Sequence, residues 1–337
     1  MVPAGVLQFA ARKIPGFGQW YAVTIYPWIV GIYGRICGLV PFSVVEMGLY
    51  GLVLFFVYSL LRRERKWRKM FAWVFFTAGL LAFLYTANCG VNYYRKPFSS
   101  YLDLQMGKAT TEDLKALCQE LVEKINETAP EEPVDMGLLA QGKLARTGKA
   151  AMEKLGEEYP ALSGCYPVPK PVMVSWILAV QQLCGVYSPF TVEANYNWQM
   201  TGYNIPHTIC HELSHLRGFM REDEANFIGI LACTESDDAY FRYSGYLMAW
   251  VHAGNALAKA DVESFYELHS QLCGQAVQDL QENNEYWDQY EGKVAEVSNQ
   301  VNDTYLKLND QKDGVQSYGR VVDLMRAMFL QNRQEAQ

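Results

Sequence analysis

Two apolar runs near the start, residues 43–61 and 71–88, restrict this chain more than any other feature. A helix that crosses the hydrocarbon of a bilayer needs about 20 apolar residues, and each run approaches that length. Their one charged residue is Glu46, near the start of the first. Between them stand Arg62-Arg63-Glu64-Arg65-Lys66-Trp67-Arg68-Lys69, with six positive charges. Basic loops stay on the cytoplasmic face. The expectation is a pair of spans joined by a cytoplasmic loop, with everything after Asn88 outside the cytoplasmic membrane. Arg95 and Lys96 at the exit argue the other way, two charges against six. Upstream, residues 1–19 are too short to span. Residues 20–40, interrupted by Pro27, Arg35 and three glycines, read either as a third span or as an interfacial helix with Trp and Tyr at headgroup level.

Charge divides the chain at the same place. Residues 1–96 carry 11 Lys and Arg against two acids, and the rest carries 18 against 34, which gives the net charge of −7. The expected organisation is a membrane anchor over 1–96 and an extracytoplasmic domain over 97–337. The acidity of the second part excludes nucleic acid as a partner, because phosphate binding needs clustered cations. The eight cysteines show no CxxC spacing, which argues against a cysteine-type zinc site. They read as small core residues, with disulfides open to them outside the cell.

The second part carries one motif with chemistry in it, His211-Glu212-Leu213-Ser214-His215. Residues four apart lie on one face of a helix, so both imidazoles can reach one ion. Zinc suits neutral imidazole, and a catalytic site takes three protein ligands and keeps one position for water. Glu212 then stands where it can take a proton from that water. Ile209, Cys210, Leu213 and Leu216 make the helix a buried one, and a buried His-Glu-His group needs a partner. Gly218 allows a sharp turn after the helix. A second helix is expected over 222–232, with Glu222 as the third ligand and Glu224, about 200° further round, as the alternative. Asn226 shares the face of Glu222 and can steady a histidine from behind. Asp223 reads as a helix-start acid, and His207 as structural. Tyr243, Tyr246 and His252 are candidate oxyanion stabilisers that read equally as packing residues.

Around the motif the expected fold is α+β and mostly helical. Helices are expected at about 111–128 and 135–156, then at 238–259, 261–283, 285–308 and 314–332. Residues 166–171 read as an extended connection and 172–178 as a strand or a short buried helix. A strand over 190–196 could offer its edge to an extended substrate. The polar stretch 309–314 reads as a loop, since its acids do not fit a calcium-binding hand.

The segment from His211 to Cys233 resembles the signature of a bacterial family of membrane-anchored HExxH proteins, catalogued as domain of unknown function 3810. The likeness extends to Ile25-Tyr26-Pro27, Pro41-Phe42-Ser43, Pro189 to Asn195, Tyr240 to Ser244, Tyr305-Leu306-Lys307 and Ser317 to Arg320. It implies a zincin-like, zinc-dependent peptidase domain with a small sheet and C-terminal helices. Glu222-x-x-Ala225-Asn226 also looks like the ligand element of the glutamate class of zinc peptidases, which supports Glu222. Arg221 stands where the three-histidine class has its last histidine. The expected function is a multi-pass, membrane-anchored zinc metalloendopeptidase that cuts a peptide or protein with a zinc-activated water. The alternatives are a non-catalytic, metal-stabilised envelope scaffold and a zinc amidase acting on cell-wall peptide.

Overall fold

The computed structural model describes residues 2–61, 67–102, 104, 110–132, 134, 136–308 and 319–335. The start of the basic run, 62–66, and the polar stretch 309–314 lie outside the described residues. The architecture is mostly helical with one three-stranded sheet.

The helical body forms where amphipathic periods meet clear caps. Helix α6 (Thr111–Thr128) starts on a reciprocal cap, in which Thr110 accepts from the Asp113 N–H and Asp113 from the Thr110 N–H. It buries Leu114, Leu117, Leu121 and Ile125, a spacing that gives one apolar face. That face packs against α11 (Ala239–Ala260), which starts on the Asp238 side chain. Between them and α7 (Leu138–Glu158) run α9 (Asn204–Leu216) and α10 (Glu222–Thr234), both buried along nearly their whole length. The last helix, α15 (Gly319–Glu335), closes over α10 and α11.

The helices after α11 break elsewhere than expected. They are α12 (Val262–His269), α13 (Gly274–Asp288) and α14 (Lys293–Leu308). The break expected near residue 284 falls inside α13. One real break, at 270–273, is held by Asn126 of α6. Its amide donates to the Gln271 carbonyl at 2.8 Å and accepts from the Cys273 N–H at 2.7 Å. The other is made by Gly292, whose φ of 151° ends the preceding turn.

The sheet is small and sits beside α9. Its strands β1 (Lys170–Pro171), β2 (Gly185–Ser188) and β3 (Glu193–Tyr196) lie in the order β1-β3-β2. β1 runs parallel to β3, and β2 runs antiparallel to it. The strand expected over 190–196 is therefore shorter. Pro189 to Val192 form the turn of a hairpin, with Val192 buried and held at φ 54°. The stretch left open as strand or helix makes a single helical turn, α8 (Trp176–Ala179).

The N-terminal part is tied into this body. Helices α1 (Val2–Lys13), α2 (Phe17–Thr24) and α3 (Tyr26–Cys37) come first. At 1.5 Å per residue the last two are about 12 and 18 Å long, too short for a third span. They bury Tyr21, Tyr26, Val30 and Cys37, and Tyr26 and Tyr187 share a hydroxyl hydrogen bond at 2.7 Å. One core thus runs across the boundary expected at residue 96, joining Tyr26 and Cys89 to the helical body.

Among the described residues one helix is long and apolar enough to cross a membrane, Met70–Tyr94. It comprises most of α5 (Trp67–Tyr85), then a π-turn over Thr86–Gly90 and a 3-10 turn over Asn92–Tyr94. The other expected span, α4 (Val44–Leu61), supplies the shorter apolar stretch Val44–Ser59. Its first turn is occupied by the body. Glu193 of β3 accepts the Val44 and Val45 N–H groups at 3.2 and 3.1 Å. Glu46 in turn accepts the Met173 and Val174 N–H groups at 2.8 and 2.9 Å.

Candidate metal centre

Three side chains converge where α9 meets α10. His211 and His215 are one turn apart on α9, with ring centroids 4.7 Å apart and planes at 90°. Each ring is fixed from behind through Nδ1. His211 Nδ1 lies 3.0 Å from the Asn226 side-chain oxygen, and His215 Nδ1 lies 2.8 Å from the Phe219 carbonyl. Both partners are acceptors, so each Nδ1 carries a proton, and each Nε2 offers its lone pair when the ring is neutral. The Nε2 atoms meet the Glu222 carboxylate at 3.4 Å from His211 and 3.5 Å from His215. One ligand atom from each of the three lies within 4.8 Å of the others. Ligands about 2.0–2.1 Å from zinc at tetrahedral angles stand about 3.4 Å apart, so the donor set suits zinc in chemistry, and the two histidine–carboxylate separations match that spacing.

Backbone features account for the convergence. Gly218 takes φ 93° and turns the chain after α9. Gly229 lets the helices close, since a Cβ there would meet His207 Nε2 at 3.1 Å and His211 N at 3.2 Å. The turn is also clamped from outside. Arg95 donates to the Arg217 carbonyl at 2.9 Å and lies 3.6 Å over the Phe219 ring. Its place in the site, far away in sequence, carries no local signature.

Glu212 occupies a different position. It is buried beside β2, and its Oε2 has no hydrogen-bond partner among the described residues. Burial pushes its carboxyl above the ordinary range. The nearby His211 and His215 oppose that, Glu222 adds to it, and the Tyr187 N–H, which it accepts, opposes it as well. Gly185 makes room, because a Cβ there would stand 2.6 Å from Glu212 Oε1. Burial would lower the His215 pKa, but the Glu222 carboxylate outweighs it and raises the pKa to about 9. Glu222 itself is pulled well below the usual carboxylate range by the two histidines, against its burial.

The other expected residues lie elsewhere. Glu224 turns away and accepts the Phe98 N–H at 2.7 Å. Tyr243 donates its hydroxyl to Asp279 at 2.6 Å. Tyr246 is half-buried near Lys124 and Glu235. His252 is pushed down to about 4 by burial and by His211. None of these four lines the cavity in front of the three converging groups. His207, also held down by burial, reaches the Asn226 carbonyl at 3.3 Å.

That cavity measures about 740 Å³. Its walls include β2, the end of the long apolar helix at Cys89 and Tyr93, and Ser298, Asn299 and Asn302 of α14. Asn197 N donates to the Cys184 carbonyl at 2.7 Å. By two-residue alternation the backbone groups of Gly185 and Tyr187 therefore face away from β3. The outer strand beside the cavity is thus β2, not the 190–196 segment that the sequence suggested, and of its outward groups the Tyr187 N–H is already given to Glu212.

The family described as "Protein of unknown function (DUF3810)" matches residues 21–326. No curated protein and no solved structure matches the chain.

Proposed function

The chain belongs to the DUF3810 family of proteins of unknown function, and for this member we propose a membrane-anchored, zinc-dependent peptidase of zincin-like type. The observation that carries the reading is the convergence of His211, His215 and Glu222 with Glu212 buried alongside. Zinc held by those three would polarise an attacked carbonyl and acidify water. Glu212 would accept the proton of the attacking water and pass it to the departing amine. Its raised pKa suits a base that must also give the proton back. The outward-facing Gly185 N–H and the Gly185 and Tyr187 carbonyls of β2 would hold the substrate as an added strand, by main-chain hydrogen bonds that read conformation rather than side chains. Asn226 and the Phe219 carbonyl would keep both imidazoles in the tautomer that binds metal.

We place the catalytic body outside the cytoplasmic membrane of a bacterium, with α4 and α5 both passing through the bilayer. The support is the apolar surface of both helices, with Leu54, Phe55, Phe56, Phe75 and Phe76 each more than half exposed, and the basic run between them.

Hydrolysis of an unfolded polypeptide by the zinc-loaded full chain tests the reading. Glu212→Gln should keep zinc and lose about 10²–10⁴-fold in rate. If wild type and Glu212→Gln are equally inactive while His211→Ala unfolds, the metal holds α9 to α10 and serves a scaffold.

A further inference from the structure

We infer that the substrate is a polypeptide tethered to the same membrane and cut in the stretch where it leaves the bilayer. The inference rests on the peptidase reading and adds the substrate class.

Strand β2 leads from the base to the root of the anchor. At one end Gly185 lies against Glu212, which also accepts the Tyr187 N–H farther along the strand. At the other, the Tyr187 hydroxyl donates to the Asn88 carbonyl at 3.2 Å, and Asn88 donates to the Pro189 carbonyl at 2.6 Å. Asn88 belongs to the Met70–Tyr94 helix, five residues beyond Phe83, the last residue of that helix with a large apolar side chain more than a third exposed. The strand covers about 10 Å, and those five residues add about 8 Å along the helix. With a few more ångströms for the side-chain step to Asn88, a chain laid along β2 covers the path from Glu212 to the apolar boundary in about six to eight extended residues.

A second observation brings the bilayer to the same side. Met173, Val174, Trp176 and Ile177 form an exposed apolar turn, 61, 42, 58 and 41 % accessible. Glu46, at the root of α4, holds that turn through the Met173 and Val174 N–H groups. An exposed tryptophan among aliphatic residues is the usual composition of a headgroup contact. From this turn the chain continues through Gln182 and Leu183 into the cavity wall. The cavity is thus lined on one side by Gln182 and Leu183, a few residues along the chain from this turn, and on another by Cys89 and Tyr93 at the α5 root.

Main-chain pairing along β2 discriminates little between sequences. Selection would come from position, because a tether raises the local concentration of any segment that can reach the cleft.

The test uses the zinc-loaded full chain in phospholipid vesicles. One randomised peptide library is supplied free, on a lipid anchor, and on a transmembrane helix. Both tethered forms should be cut at least about tenfold faster than the free form. The cuts should fall within about ten residues of the bilayer and move into a Gly-Ser spacer when one is inserted. As a readout that needs no turnover, a photo-crosslinker at Val186 in Glu212→Gln should capture the tethered library and not the free one. Capture of only one tethered form identifies the anchor. Equal cutting and equal capture of free and tethered libraries, or cuts that follow sequence regardless of the spacer, overturn the inference. Absence of any Glu212-dependent cleavage overturns the peptidase reading, and this inference with it.

Discussion

Gly185 and Glu212 show how much of the site rests on single residues. A methyl group at Gly185 has no space beside the Glu212 carboxylate. Gly185→Ala should displace the base by a fraction of an ångström or more and lower hydrolysis about 10²-fold. Zinc content, set by other residues, should stay unchanged. Glu224 offers a test of stability. Burial and Asp223 raise its pKa from 4.5 to about 7, against Arg221, the Phe98 N–H and Arg95. The folded chain therefore holds that proton more tightly than the unfolded one. This contribution to stability is greatest below about pH 4.5 and is lost as pH rises through about 7. Glu224→Gln keeps an acceptor for Phe98 and should raise the melting temperature at pH 8 more than at pH 5. His215 behaves as a paired base, raised from 6.5 to about 9. In metal-free protein its contribution is fully present below about pH 6.5 and is lost as pH rises through about 9. Zinc needs the neutral ring, so the rise in melting temperature on adding zinc should grow from pH 6 to pH 9. The motif residues were legible because their spacing is helical, and Glu222 because it opens the next helix just after the turn at Gly218. Arg95 and Gly185 were not, because their roles arise only when distant segments meet.

At the scale of elements, the sequence is legible where local signals and packing agree. Helix α9, the turn at Gly218 and helix α10 follow from periodicity and one glycine. Caps at Thr110 and Asp238 fix the starts of α6 and α11. The breaks around α13 were hidden, because a side chain of α6, Asn126, supplies the hydrogen bonds of one turn. The β2–β3 hairpin was hidden by Val192, since a β-branched residue with positive φ gives no turn signal. The root of α4 rests on a buried ion pair. Lys170 Nζ and Glu193 Oε1 are 2.6 Å apart with side chains 6 and 3 % exposed, and Lys170 also donates to the Cys37 carbonyl at 2.6 Å. Removing one partner of such a pair strands the other, at about 3–5 kcal/mol. Glu193→Ala should show that loss in thermal unfolding, and should also free the first turn of α4, read as faster amide exchange at Val44 and Val45.

For the whole molecule, the charge division at residue 96 does not mark a boundary of the fold. The apolar, basic part contributes α2, α3 and the end of α5 to the same core as the acidic part. A charge count passes over Tyr26 and Cys89 and scores Arg95 as a surface cation, although all three face inward. The result is one body in which the long apolar helix and the helices that carry His211, His215 and Glu222 share a core. The central claim is that His211, His215 and Glu222 hold one zinc ion. It is tested most directly by zinc-edge X-ray absorption, with metal counting, on the purified full chain. The account predicts one zinc per chain, with two imidazole nitrogens and carboxylate oxygen at about 2.0–2.2 Å, and loss of that spectrum in Glu222→Ala. Zinc far below one per chain, sulfur in its coordination, or an unchanged spectrum in Glu222→Ala would contradict it.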